Sequence, residues 1–389
     1  MSVDANAAVA GLLDRLIELR PLLTANAARG ERDRRVPDES IAALADAGAF
    51  RLMVPRRYGG HEGTIRSLLD VASAVAEADG GTGWVVGLTG VCAWVTGLFA
   101  GSAQDDVFGA NPDARLCGSL SPIGRGERDG DGWRVSGRWS YVSGSLHADW
   151  AVLGFTAAGT GEPGIALVPT ADLTLLDTWH TAGMRASGSN TFTGDRVAVP
   201  AHRVLFGAAR GEYATEFRDE PAYRAAFFPM ATLVLVGPLL GLGRAALDFV
   251  GGAAAAKGIV ATPFARQAES TGFQIQFADA ALRVDTAVLH AYRAADDIDR
   301  HAVAGTWPDT RTRARIRADA SHAAGQIVAA LDVLLDAHGS GGFAESSPLH
   351  RIWQDAHVGA RHGLILPAVS LEVYGKILLG QENTVSPAI

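Results

Sequence analysis

Two stretches in the middle of the chain decide the fold: residues 136–150, SGRWSYVSGSLHADW, and residues 183–204, GMRASGSNTFTGDRVAVPAHRV. Each contains short runs of β-branched and aromatic residues, and glycine, proline or aspartate separates the runs. This pattern is typical of strands joined by tight turns, and the same texture extends over residues 116–205. The sequence therefore predicts a β-domain in the centre of the chain.

The segments on either side of this β-domain have helical periodicity. Apolar residues recur at helical spacing before it, as in Leu12 and Leu16, and long periodic segments follow it to the C-terminus. The 389 residues are therefore predicted to form an N-terminal helical domain (1–115), the β-domain (116–215) and a C-terminal domain (216–389). The last of these is large enough for a four-helix bundle.

Composition and charge exclude several classes of function. With 48% hydrophobic residues the chain can bury a large core, and a net charge of -8 offers no basic face to nucleic acid. Cys92 and Cys117 are the only cysteines, so a disulfide framework and a multi-cysteine metal site are excluded. The N-terminus has no basic region before an apolar stretch, and we therefore expect a cytoplasmic protein. The apolar run at 225–243 contains two prolines and three glycines, which favours a buried core helix over a membrane span.

Common catalytic motifs are absent from the sequence. It contains no GxGxxG after a strand, no phosphate-binding loop of the Walker type and no GxSxG nucleophile turn. His357 and His362 are five residues apart, which is not the spacing that lets one helical face share a metal ion. We therefore expect no metal site.

The two β-domain stretches, in the order α, β, α, resemble the acyl-CoA dehydrogenase fold. The turn PRRYGG at 55–60 and the helix RIWQDAHVGARH at 351–362 are similar to further motifs of that family, so the resemblance covers nearly the whole chain. It implies an α+β protein with an N-terminal helical domain, a central β-barrel or sandwich and a C-terminal four-helix bundle. It also implies assembly as a homotetramer through that bundle.

In that fold a flavin ring lies against the β-domain. The resemblance aligns Tyr141 with an aromatic that stacks on the ring and Ser143 with a hydroxyl near its reactive nitrogen. The structural alternative for Ser143 is an ordinary turn residue, and that for Arg185 is an ion pair with an acidic side chain. The cofactor-binding residues that the resemblance implies are Ser119, Ser121, Tyr141, Ser143, Arg185 and Ser187.

Two family motifs are missing. Acyl-CoA dehydrogenases abstract a proton with a Glu shortly after the helix that here contains Asp355, but this chain has His362 and Gly363 there. The R-x-x-F-G motif that clamps FAD would fall at 260–264, which reads VATPF, and the nearest arginine is Arg266. The cofactor is therefore expected to lack the AMP half or to bind transiently.

These losses, the run ADGGTGWV at 78–85 and a histidine seven residues after Asp355 are similar to one branch of the fold, the two-component flavin-dependent monooxygenases. That resemblance implies reduced FMN or FAD supplied by a separate reductase, reaction with oxygen to a hydroperoxyflavin, and hydroxylation of a small molecule. His362 is the first candidate for a catalytic histidine and His357 the second, with Ser143 beside them. A structural, hydrogen-bonded histidine is the alternative for both.

The substrate is less well defined by the sequence. The C-terminal stretch at 360–380 resembles members that oxidise amines, including amino sugars, and aromatic or polyketide hydroxylation is comparably compatible; either suits antibiotic biosynthesis. Candidate pocket residues are aromatic, although each could be plain core: Trp84, Trp94, Phe227 and Phe228. Rival functions are an acyl-CoA dehydrogenase with its base on another helix, and a scaffold that has lost its cofactor.

Overall fold

The structure is a computed structural model that describes residues 3–389. Helices occupy both ends of the chain and a single mixed sheet occupies the middle, in the predicted order. The change from helix to strand comes at Leu116, and the last strand ends at Phe206. The α-helices are α1 (Val3–Asp33), α2 (Asp38–Asp46), α3 (Ile65–Ala76), α4 (Gly80–Gly97), α5 (Gly101–Gln104), α6 (Phe227–Leu233), α7 (Val236–Ala254), α8 (Thr271–Ala304), α9 (Thr310–His338), α10 (Pro348–Gly359) and α11 (Pro367–Leu378).

Seven strands form the central domain. They are β1 (Leu116–Asp129), β2 (Gly132–Val142), β3 (Trp150–Ala157), β4 (Pro163–Pro169), β5 (Thr174–Leu176), β6 (Asn190–Val199) and β7 (Val204–Phe206). Their order across the sheet is β5-β6-β2-β1-β3-β4-β7. β1 and β3 run parallel, with Cys117 opposite Ala151, and the other neighbours are antiparallel. The seven strands are hydrogen-bonded into one sheet, which is the predicted central β-domain.

Trp139 anchors this sheet from inside. It has no exposed surface, and its indole nitrogen donates to the carbonyl of Gly154, 2.8 Å away on β3. Because β1 lies between β2 and β3, the ring must pass over β1, and it does so at Gly124. A Cβ there would lie 2.6 Å from the ring, so glycine is required for the close approach. The tryptophan of the SGRWSYVSG stretch is therefore a packing residue that fixes the end of β2.

Side-chain caps explain where several helices begin. Thr64 and Ser67 form a reciprocal capping box at the start of α3, and Asp79 accepts from the backbone N–H of Thr82 at the start of α4. Ser270 and Asp309 cap α8 and α9 in the same way. These polar residues precede apolar periodic runs, which is why helical segments were predictable here.

The C-terminal domain is a bundle of long helices. α8 and α9 pack along each other, α7 packs on α9, and the short helices α10 and α11 both pack on α9. α7 also packs on α3, which joins the bundle to the N-terminal helices in one core. α10 is therefore held between the bundle and the α4 side of the molecule.

The apolar stretch Phe227–Ala254 is long and apolar enough to cross a membrane by length and composition, but 72% of its most apolar window is buried inside the protein. It is also divided, since α6 ends at Leu233 and α7 begins at Val236. Both observations support its interpretation as a core helix.

Candidate active site

Ser143 lies just beyond the end of β2, where the chain turns at Gly144 with a φ of +76°. Its side chain is almost fully buried. The indole nitrogen of Trp84 donates to the Ser143 Oγ at 3.0 Å, and the hydroxyls of Ser143 and Ser189 share a hydrogen bond at 2.8 Å. The Ser189 hydroxyl in turn bonds that of Ser187 at 2.6 Å. A buried row of three hydroxyls thus ends at Ser143.

Counting protons in this row shows what it can donate. Ser187, Ser189 and Ser143 bring three hydroxyl protons but share two hydrogen bonds, and each oxygen can also accept two. One proton therefore remains for an acceptor outside the row. When the row runs from Ser187 through Ser189 to Ser143, that proton is on Ser143, whose oxygen already accepts from Trp84. Ser143 is then a hydrogen-bond donor held in a fixed place.

Trp84 is brought to Ser143 by the glycine-rich start of α4. A Cβ at Gly81 would lie 2.8 Å from the Ala186 side chain, and a Cβ at Gly359 would lie 3.3 Å from the Trp84 ring. Larger residues at these positions would separate α4 from the 185–187 turn and from α10. The ADGGTGWV run is therefore a packing requirement for placing the indole.

His362 follows α10 and faces Trp84, with the two ring centres 6.2 Å apart. Its Nδ1 accepts weakly from the backbone N–H of Leu364 at 3.3 Å, so in the neutral ring the proton is on Nε2. Burial lowers the pKa of His362 to about 4, although the side chain keeps some exposed surface. The imidazole is thus neutral at pH 7 and offers an Nε2–H donor beside Trp84.

His357 lies in the last turn of α10 and has a different environment. Its Nδ1 is 2.9 Å from the carbonyl of Trp353 and its Nε2 is 3.2 Å from the carboxylate of Asp332 on α9. Both ring nitrogens thus have protein partners. The structure brings His362, and not His357, next to Trp84, which itself bonds Ser143. The contacts of His357 favour the structural alternative for that residue.

Tyr141 is close in sequence to Ser143 but lies at the surface of the β-domain. Its side chain is 73% exposed, its φ is +62°, and its ring meets Trp179 edge-on. A non-glycine residue rarely adopts this backbone conformation, and such strain often marks functional positions. Ser119 and Ser121 lie in β1, half-buried and exposed respectively, beside an irregularity in the pairing with β3. These side chains leave a polar and aromatic surface on the sheet.

Arg185 was expected to contact the flavin or an acid. Its Nε donates to the carbonyl of Glu31 and its Nη1 to that of Thr181, both at 3.0 Å. The guanidinium therefore ties the 185–187 turn to α1, and within residues 3–389 no acidic side chain pairs with it. These bonds hold the turn in place, and contact of Arg185 with the flavin stays a prediction.

The four predicted pocket aromatics divide into two sets. Trp84 belongs to the cluster with Ser143 and His362. Trp94 has no exposed surface and donates to the carbonyl of Ala222 at 2.7 Å, so it is core and does not line an accessible pocket. Phe227 packs on Trp94 and is also buried, whereas Phe228, edge-on to Phe227, is half-buried.

Ser189 was missed by the sequence analysis. The stretch ASGSN places serines at 187 and 189, and alternate residues of an extended chain face the same side. That spacing was a signal for a second hydroxyl next to Ser187. What it could not show is that Ser189, just before β6, would bond Ser143, just after β2.

The two segments in which the family motifs are missing can be located in the structure. Residues 260–264 lie in the loop between α7 and α8, and Val260 is almost fully exposed. Arg266 in the same loop forms an exposed ion pair with Glu269. Gly363 follows His362 where the dehydrogenases have a catalytic Glu, so the described site holds an imidazole in place of a carboxylate base.

These residues fit a flavin. The isoalloxazine ring has a polar edge of nitrogen and carbonyl groups, which needs hydrogen-bond donors such as the Ser143 hydroxyl. Its two faces need aromatic or apolar partners such as Tyr141. Within residues 3–389 no group of three or more His, Cys, Asp or Glu side chains is arranged to hold a metal ion.

Comparisons with known proteins agree with this geometry. The family models described as acyl-CoA dehydrogenase N-terminal and C-terminal domains match residues 18–108 and 233–367. The structure of XiaF from Streptomyces sp., in complex with FADH2 and glycerol, superposes with a TM-score of 0.93 at 35% identity over 98% of both chains.

Two homologous sequences are also oxygenase components of flavin-dependent enzymes. The oxygenase subunit HsaA of the flavin-dependent monooxygenase of Rhodococcus jostii is 32% identical over 93% of this chain and 97% of that protein. The oxygenase component of the FADH2-dependent resorcinol hydroxylase of Rhizobium sp. is 33% identical over 90% of each. The chain therefore belongs to the two-component flavin-dependent monooxygenases of the acyl-CoA dehydrogenase fold, as an oxygenase that uses reduced flavin and molecular oxygen to hydroxylate a small molecule, and it is not an acyl-CoA dehydrogenase.

Proposed function

We propose that the substrate is a neutral aromatic compound that is hydroxylated on its ring. The observation that carries this proposal is the position of a buried His362 beside Trp84: the two ring centres are 6.2 Å apart, and burial lowers the pKa of His362 so that the imidazole is neutral. A hydroxylated aromatic ring offers a flat apolar face to Trp84 and an oxygen to the Nε2–H of His362. The similarity to a resorcinol hydroxylase supports the same class.

A protonated amine or a nucleotide-linked amino sugar fits this environment less well. Either would bring a full charge into the cluster of Trp84, Ser143 and His362. Transfer of an unpaired charge from water into a buried site raises the free energy by at least roughly several kcal/mol. N-oxygenation is therefore an outcome of the substrate test below and is not the favoured reaction.

A reduced flavin bound on the β-domain would supply the electrons that activate oxygen for transfer of one atom to the substrate. Ser119, Ser121, Tyr141, Ser143 and Ser187 are the residues proposed to hold it. The Ser143 hydroxyl orients the polar edge of the ring, and Tyr141 covers a face.

His362 and Trp84 act on the substrate side in this proposal. With a pKa of about 4, His362 is a weak base at neutral pH, so its role is to donate a hydrogen bond that orients the substrate oxygen. Trp84 holds Ser143 through its indole nitrogen and closes the site against water. Phe228 is a candidate for the outer wall.

A separate flavin reductase is the proposed partner, because the similar proteins are named as oxygenase subunits or components of larger systems. Reduced FMN and reduced FAD both remain candidates. We also propose that the protein is cytoplasmic and that it acts in a secondary-metabolite pathway, such as antibiotic biosynthesis.

We also propose a homotetramer assembled through the bundle. Along α8 the large apolar residues Ile275, Leu282 and Leu289 recur every seven residues and are 66%, 66% and 64% exposed. A stripe of this kind is characteristic of a helix that packs on another helix. Leu282→Asp with Leu289→Asp should convert the tetramer to smaller species in light scattering, and an unchanged mass would contradict this interface.

The substrate test is a coupled assay. The purified protein receives FMNH2 or FADH2 from a reductase, with oxygen and a panel of phenols, other aromatics and primary amines, and both product and hydrogen peroxide are measured. Product from neutral aromatics supports the proposal. Product from amines alone would overturn it in favour of N-oxygenation.

A further inference from the structure

A pair of buried acids lies beside the candidate active site. Asp79 and Asp355 are each 4% exposed. Asp79 caps α4, accepting from the backbone N–H and the hydroxyl of Thr82 at 2.8 and 2.6 Å. Asp355, on α10, accepts from the backbone N–H of Met184 at 2.5 Å. The two carboxyls thus bind the start of α4 and the loop before the 185–187 turn.

Backbones approach closely around Asp355. A Cβ on Gly80 would lie 2.8 Å from the Asp355 Oδ2, and a Cβ on Gly183 would lie 2.2 Å from the carbonyl oxygen of Gln354. There is therefore no room for a side chain between α10, α4 and the 183–184 loop. Met184 itself has a φ of +52°, a strained conformation that needs a specific partner to persist.

Each joined segment carries part of the site. α4 carries Trp84, five residues after Asp79. The loop leads to Ser187, whose carbonyl accepts from the backbone N–H of Gly144 at 2.8 Å. α10 leads to His362. The acids therefore lie where the three segments that assemble the site meet.

We propose that Asp355, together with Asp79, is a positioning residue for hydroxylation: it holds α4, the 183–187 loop and α10 in the register that brings Trp84 and His362 to Ser143. This inference rests on the proposed function of that site. It adds residues that touch neither substrate nor flavin and act through the backbone.

Asp355 is expected to act as a neutral acid. Burial, and then the neighbouring Asp79, raise the pKa of Asp355 to about 8, and burial also raises the pKa of Asp79. The other charged groups that affect Asp355 are Glu31 of α1, which raises its pKa, and Arg351 of α10, which lowers it. At neutral pH the Asp355 carbonyl oxygen accepts from Met184 without placing a second negative charge beside Asp79.

A cavity of about 240 Å³ reaches this pair from the surface. Arg20 and Glu77 are among its lining residues, and they pair with each other at 3.1 Å. The cavity gives Asp355 a route for proton exchange with solvent, so its charge can follow the external pH.

The test compares Asp355→Asn with Asp355→Leu. Asparagine keeps a neutral acceptor for Met184, whereas leucine has similar volume and no acceptor. We expect Asp355→Leu to speed amide hydrogen exchange at 183–189 and to lower product per reduced flavin roughly ten-fold, as misplacement of reacting groups does. Asp355→Asn should keep both within about two-fold of the wild type.

Asp299→Leu is the matched control. Asp299 accepts from the backbone N–H groups of Ile65 and Arg66 at 2.9 and 3.1 Å, which joins α8 to α3 in the same manner. The Asp299→Leu variant should have a lower free energy of unfolding and unchanged amide hydrogen exchange at 183–189. Unaltered exchange in Asp355→Leu, or equal losses in Asp355→Asn and Asp355→Leu, would overturn the inference.

A pH series provides a test that needs neither flavin nor the leucine variant. Because the pKa of Asp355 is raised, the folded state keeps a proton that the unfolded state loses above about pH 4. The free energy of unfolding of the wild type, relative to Asp355→Asn, should fall as the pH rises to about 8 and then level off. A flat difference contradicts the inference, whereas failure of every substrate to give product would contradict only the proposed function.

Discussion

The two histidines near the end of α10 are five residues apart and have opposite environments. His357 has protein partners on both ring nitrogens, the Trp353 carbonyl and the Asp332 carboxylate. His362 has one weak partner, at Nδ1, and burial lowers its pKa to about 4. A histidine whose bonding capacity is filled by the protein stabilises the fold, whereas one with a spare donor can act on a ligand.

The largest expected effect is that of His362→Ala. Removal of the Nε2–H donor that orients the substrate should lower product formation about 100-fold, as misplacement of a reacting group does, and leave reduced-flavin binding intact. Product and hydrogen peroxide are measured per reduced flavin. A loss of less than about three-fold on that scale would make His362 a structural residue like His357.

Ser143→Ala should have the next largest effect. The variant leaves the Trp84 indole and Ser189 without their partner and removes the donor proposed for the flavin edge, so we expect product per reduced flavin to fall about ten-fold while peroxide rises. Ser143→Thr keeps the hydroxyl and should recover most of the yield. Equal losses in both variants would point to packing and not to the hydroxyl.

His357→Ala should affect stability more than activity. Loss of its bonds to Trp353 and Asp332 is expected to lower the free energy of unfolding by about 1 kcal/mol in thermal or denaturant unfolding. Product formation should stay within about two-fold of the wild type, since His357 does not contact the cluster. A selective loss of activity would remove the contrast between the two histidines.

The smallest effect concerns pH. Since the pKa of His362 is about 4, its charge does not change between pH 6 and 8, and its contribution to product yield should be flat there. Acidification from about pH 6.5 towards 4 protonates the unfolded state first, so the wild type should lose stability relative to His362→Ala in that range. A yield that titrates near pH 6.5 would mean that the imidazole is not buried as described.

Much of the fold could be predicted from the sequence. Strands such as β2 and β6 alternate and end at glycine or proline, and helices such as α9 begin at a capping residue before an apolar repeat, so local chemistry was sufficient. The arrangement of the strands in one continuous sheet was not predicted. It involves contacts between residues far apart in sequence, such as the Trp139 ring over Gly124 and its bond to the Gly154 carbonyl.

The site was predictable in part. The sequence motifs named Ser143, Ser187 and His362, and the structure places the first two in one hydroxyl row and the third beside Trp84. The sequence analysis also named Arg185 and Trp94. In the structure Arg185 donates to the backbone carbonyl of Glu31, and Trp94 is buried and donates to that of Ala222. Residue type indicates what a side chain can do, and its partners decide whether that capacity is already used.

The sequence by itself determined the order of the elements, the family and the kinds of side chain available to the site, because these follow from local periodicity and short motifs. Tertiary structure decided which of two histidines keeps a spare donor, which serines share a hydrogen-bonded row and which acids are buried together. Those properties arise where α4, α10 and the 183–187 loop meet, and they depend on desolvation and hydrogen-bond partners that no single segment contains.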